Sequence, residues 1–145
     1  KMITESVAEY LTAKIYEKQF GKKSVKKFLD IQLNRYFNGR SEETNKENPL
    51  IHVQPEQTYI SYGKGAIALY TLSQYIGEEK LNGALREYLI YASRPGQPYT
   101  TSKDLIQYLR QATPDSLQYV ITDLFETTDS EKMTAHFREN LPAEM

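Results

Sequence analysis

The chain has 145 residues with a net charge of −1, and its 39% apolar content against 26% charged suits one domain with a core of its own. That balance excludes a disordered polyelectrolyte and provides no basic field to recruit nucleic acid or an anionic membrane. The absence of cysteine excludes a disulfide framework, a thiolate metal site and a cysteine nucleophile.

In chain order, residues 4–20 read as a helix. Val7, Tyr10, Leu11 and Ile15 fall at helical spacing, Thr4 is placed to cap the start, and Gly21 sits where a C-terminal glycine belongs. Glu5 and Glu9 lie one turn apart near its start, where acidic residues also suit the helix dipole. A second helix is predicted over 24–37, with Ser24 as cap and Val25, Phe28, Leu29, Leu33, Tyr36 and Phe37 as its apolar stripe. The lysines at 22, 23, 26 and 27 read as a solvated face.

Periodicity stops over 38–57, a long polar connection in which Leu50-Ile51-His52-Val53 reads as extended between Pro49 and Pro55. Tyr59-Ile60-Ser61-Tyr62-Gly63-Lys64-Gly65 follows. Two glycines are an unusual way to open a helix, and they make sense where backbone must come close to something. On local grounds the tyrosines are packing aromatics at a helix entry. Residues 66–76 are apolar nearly all round and should form the central helix. Gly77 ends it, and a helix over 78–92 completes a tight hairpin.

After the loop at 94–99, Thr101 and Asp104 have capping-box spacing ahead of Leu105, Ile106 and Leu109. Thr113-Pro114-Asp115 reads as the start of a helix carrying Leu117, Val120, Ile121, Leu124 and Phe125. Residues 127–145 read as a polar tail with room for a short helical turn but little core. The fold class is all-α, about six helices in an antiparallel, helical-hairpin array. Residues 1–126 form its body.

Catalytic motifs are absent from the composition alone. The two histidines, His52 and His136, lack metal-ligand spacing, and there is no His-Glu-x-x-His, P-loop or nucleophile elbow.

Two segments taken together change the picture. Thr4-Glu5-Ser6-Val7-Ala8-Glu9-Tyr10 resembles the Asn-Glu-Gly-Phe-Ala-x-Tyr stretch of the aminopeptidase N family of zinc metallopeptidases, the gluzincins. Tyr59-Ile60-Ser61-Tyr62-Gly63-Lys64-Gly65 resembles that family's Tyr-x-Lys-Gly segment, in the same order and again followed by a buried helix. Tyr75 to Lys80, Pro98 to Thr101 and Thr113 to Tyr119 are similar to the equivalent helices of bacterial members, some of them membrane-anchored and fused to permease-like segments.

The resemblance implies the C-terminal helical lobe of a thermolysin-like catalytic domain. In it Glu5 is the third protein ligand to zinc, Tyr62 the phenol that donates to the oxyanion of the tetrahedral intermediate, and Tyr59 a residue lining the substrate cleft. The family's His-Glu-x-x-His helix, its Gly-x-Met-Glu-Asn strand and the glutamate that binds the substrate's amino terminus have no counterpart in this chain, and Thr4 and Ser6-Val7 replace the common Asn and Gly-Phe.

The expectation is therefore a zinc-dependent aminopeptidase whose metal-binding half is the partner of this segment. The parent takes zinc and a peptide substrate. The segment alone holds no zinc and is inactive, with no nucleic acid or membrane contact of its own. It should be a soluble piece of a parent that is membrane-associated in a bacterium. The alternative is a non-catalytic all-α module whose tyrosine-rich face binds a peptide or protein.

Overall fold

Each periodic stretch of the sequence is helical in the computed structural model, which describes residues 2–44 and 46–140. Helix α1 spans Val7–Phe20 and α2 spans Lys22–Glu42. Gly21 separates them at φ 87°, a conformation that strongly favours glycine, so the chain reverses in a single residue. Gly77 repeats the device at φ 93° between α3 (Gly65–Ile76) and α4 (Glu78–Ala92). Helix α5 spans Ser102–Gln111 and α6 spans Gln118–Ile121, and α7 covers Ser130–Glu139. The architecture is all-α, built from helical hairpins, and no strand occurs among the described residues.

The core forms around α3. Its residues are buried without a break from Gly65 to Ser73, because α1, α2, α4 and α7 all pack on it. An all-round apolar sequence requires such a position.

Several expectations are corrected. Helix α1 is not capped by Thr4: the chain enters it through a π-helical turn, Met2–Ser6, with Met2 and Ser6 buried. Ser24 caps nothing either, since its hydroxyl donates back to the Phe20 carbonyl. Helix α2 runs on to Glu42, past the point where the pattern stops. Gly39 lies within it; a Cβ at this position would sit 2.3 Å from Tyr59 Cβ, so the glycine admits that ring. Leu50–His52 is a turn of 3₁₀ helix with Leu50 buried, rather than an extended run. The Thr101/Asp104 capping box is present. Thr113, in contrast, turns its hydroxyl to the Leu109 carbonyl at 2.7 Å, and the helix after it forms in three short pieces: 3₁₀ over Asp115–Leu117, then α6, then a π turn over Thr122–Glu126.

The largest correction concerns the polar tail. Within 127–145, Asp129 accepts from the Glu131 and Lys132 amides and starts α7, which drives Met133 and Phe137 into the core. These residues sit at i and i+4, enough to make one buried stripe on an otherwise polar helix. Residues 141–145 of that segment lie outside the described residues.

Candidate functional site

The two motif-bearing segments meet. Ser6, which follows Glu5, is buried, and its hydroxyl donates to the carbonyl of Ser61, which precedes Tyr62, at 2.6 Å. Both segments are π-helical, Met2–Ser6 and Tyr59–Lys64, and each merges into an α-helix. Single π turns are costly and cluster at functional sites.

The glycines make the approach possible. A Cβ on Gly65 would lie 2.1 Å from Ser6 Oγ, and one on Gly63 would lie 2.9 Å from the Gln32 carbonyl oxygen and 3.0 Å from the Tyr36 nitrogen. Gly63 thus lets the backbone of the π turn press against that of α2, and Gly65 seats Ser6.

An open cleft of about 630 Å³ lies beside this junction. Tyr62, Tyr59, Glu9 and Arg35 face it from three different parts of the chain. The Arg35 guanidinium carbon stands 5.5 Å from the centre of the Tyr62 ring, within cation–π range. Glu9 accepts from Gln32 Nε2 at 2.7 Å. Burial pushes the Glu9 carboxyl up from the usual carboxylate range, against the pull of Arg35. Tyr62 is half-buried, whereas Tyr59 is buried apart from one edge and donates its hydroxyl to the Glu43 carboxylate.

Behind the cleft is a polar network that composition and periodicity do not announce. Lys64 is fully buried. Its ammonium donates to the Thr127 carbonyl at 3.0 Å, lies 3.5 Å from a Glu47 carboxylate oxygen, and faces the Tyr36 ring at 5.9 Å. Glu47, itself buried, accepts from the Tyr36 hydroxyl at 2.8 Å and pairs with Arg40. Burial pulls the Lys64 ammonium down to about 8; Arg40 adds to the drop and Asp129 opposes it. The network fastens the connection after α2, the π turn under Tyr62 and the segment entering α7 to one another. A signal for it did exist in the sequence: a lysine at the head of a helix that is apolar on all sides has no solvent face to occupy.

Of the site residues expected from sequence, Tyr59 and Tyr62 face one cleft. Glu5 does not line that cleft; it lies one turn ahead of Glu9, which does, and precedes Ser6, whose hydroxyl ties the segments together. Glu9 and Arg35 were missed as cleft residues, since no local pattern distinguishes them from other surface charges.

Among the described residues no group of three or more His, Cys, Asp or Glu side chains is placed to hold a metal ion. A zinc centre takes at least three protein ligands, and no such set is assembled among the described residues. No helix among the described residues is long and apolar enough to cross a membrane. No family model, curated protein or solved structure matches this chain.

Proposed function

We propose that this chain is the helical half of the catalytic domain of a zinc aminopeptidase, with Tyr62 as oxyanion donor, Glu5 as third metal ligand and Tyr59 at the edge of the substrate cleft. The observation that carries the reading is the Ser6–Ser61 hydrogen bond. It holds side by side two segments 55 residues apart that resemblance alone had paired.

The residues of this chain have defined tasks in that reading. A phenol is a neutral donor at neutral pH, and Tyr62 presents one at the border of an open cleft. The π turn, the glycines beneath it and the Lys64–Glu47 network fix its backbone, which is the preorganisation an oxyanion donor requires. When bound by the complete domain, zinc supplies an activated water and a Lewis acid. The metal and the peptide's amino terminus are to be held by groups that this chain lacks.

The test is Tyr62→Phe in the full-length protein. Turnover of an N-terminal amino acid amide should fall about 10²–10³-fold, the cost of losing one oxyanion donor, with zinc content unchanged. Unaltered turnover would overturn the assignment.

A further inference from the structure

We infer that Arg35 is a carboxylate-binding residue that gives the cleft a preference for short peptides with a free C-terminus. The inference deepens the aminopeptidase reading and rests on it for the word substrate, though the binding it describes does not require catalysis.

Arg35 lies on α2, one turn before Asn38 and Gly39, and all three face the cleft that Tyr62 borders. Guanidinium groups carry five N–H donors in a planar fork matched to carboxylate. Among the described residues these donors make one contact, a marginal 3.5 Å approach of Nη1 to Gln32 Oε1. No carboxylate lies within ion-pair distance among the described residues. Arg40 and Arg110 are each paired with a glutamate, and Arg35 differs from them in facing an open cleft beside the Tyr62 ring.

The carboxylates nearest in the cleft do not substitute for a ligand. Glu9 is engaged by Gln32 at 2.7 Å, and Glu42, one turn beyond Asn38, forms no hydrogen bond or ion pair with the guanidinium.

The Tyr62 ring supports the guanidinium by cation–π contact, which restrains its position while leaving its donors for a guest. A scissile carbonyl beside the Tyr62 hydroxyl puts the carboxylate of a di- or tripeptide a few bonds away, within the same cleft. Longer chains and C-terminal amides would leave the fork without its partner. Arg35 is the one positive charge in the lining, set against the carboxylates of Glu9 and Glu42 and the neutral Asn38, Thr58 and Tyr59, so binding of an anion there falls on Arg35.

The test is an NMR titration of the ¹⁵N-labelled chain with the tripeptide Ala-Ala-Ala as free acid and as C-terminal amide. The free acid should shift the Arg35 Nε–Hε and Tyr62 ring resonances saturably and bind at least about tenfold tighter than the amide, the worth of one charge-assisted pair. Arg35→Gln should erase the difference, and Arg35→Lys should retain part of it. Equal shifts from the two peptides, no shift from either, or acid selectivity that survives Arg35→Gln would each overturn the inference. A full-length protein without aminopeptidase activity whose helical chain still selects the free acid would refute the catalytic reading and leave the carboxylate site standing.

Discussion

Removing Glu47 and removing Lys64 should have very different costs, although they belong to one buried pair. Glu47 has three partners: Lys64, Arg40 and the Tyr36 hydroxyl. Lys64 has Glu47 and the Thr127 carbonyl. Lys64→Met leaves Glu47 compensated by Arg40 and Tyr36, and fills the volume with an unbranched apolar chain. The loss of the Thr127 hydrogen bond, at most about 1–3 kcal/mol because that carbonyl is part-buried, is offset by relief from burying the ammonium. A pKa held at about 8 against 10.5 corresponds to about 3 kcal/mol at neutral pH. The expected net change is within about 1 kcal/mol.

Glu47→Gln instead leaves an ammonium buried with one neutral acceptor and removes the Arg40 ion pair, which should cost about 3–5 kcal/mol. Urea unfolding followed by circular dichroism reads both. The pH axis supplies a second check. The folded-state pKa of Lys64 lies below its unfolded value, so between about pH 8 and 10.5 the unfolded chain binds more protons at this site, and the site's contribution to stability rises with pH. Lys64→Met should lack that rise relative to the parent. A Lys64→Met variant as damaged as Glu47→Gln, or one with an unchanged pH slope, would refute the reasoning.

Gly65→Ala forces a Cβ to within 2.1 Å of Ser6 Oγ, and overpacking of this kind costs about 1–3 kcal/mol. Adding Ser6→Gly should recover part of the loss in a thermal melt, and a neutral Gly65→Ala would show that the close approach is wrong. Phe137→Ala should destabilise by about 3–5 kcal/mol, because the ring is buried against the core and not carried on a free tail; a change below about 1 kcal/mol in urea unfolding would return α7 to the periphery. Glu17 is a third case. Burial raises its carboxyl, but the Tyr70 hydroxyl at 2.6 Å and Lys14 at 3.1 Å outweigh that and hold it below the ordinary value. Its contribution is present above the unfolded pKa and lost as pH falls through the folded one. Tyr70→Phe should shift its titration upward by NMR and flatten that acid-side loss; an unmoved titration would contradict it.

Helices were legible wherever one stripe repeated over three turns, as in α2 and α4, and the hairpins were legible because a single glycine at each reversal has no competing interpretation. Legibility failed where a residue serves a distant one. Periodicity stops at residue 38, yet the helix continues through Gly39, which accommodates Tyr59. The stripe of α7 has two members, Met133 and Phe137, too few to stand out in a polar segment. The roles proposed for Glu5, Tyr59 and Tyr62 come from resemblance. Arg35 and the Lys64–Glu47 network were missed, because pairings such as Lys64 to Thr127 across 63 residues leave no periodic trace.

The junction at the start of α3 has a consequence for motion. Ser6, the α2 backbone at Gln32 and Tyr36, Glu47 and Thr127 all close on residues 61–65. These partners are drawn from nearly the whole length of the chain, so no local fluctuation releases the turn that carries Tyr62. The amides there should exchange with solvent only through global unfolding, as core segments do. The exposed Arg35 side chain, restrained by the Tyr62 ring and a long contact to Gln32, adapts more readily. The cleft therefore pairs an immobile wall with an adaptable one, and a ligand that enters it orders the arginine and leaves the tyrosine where it already stands.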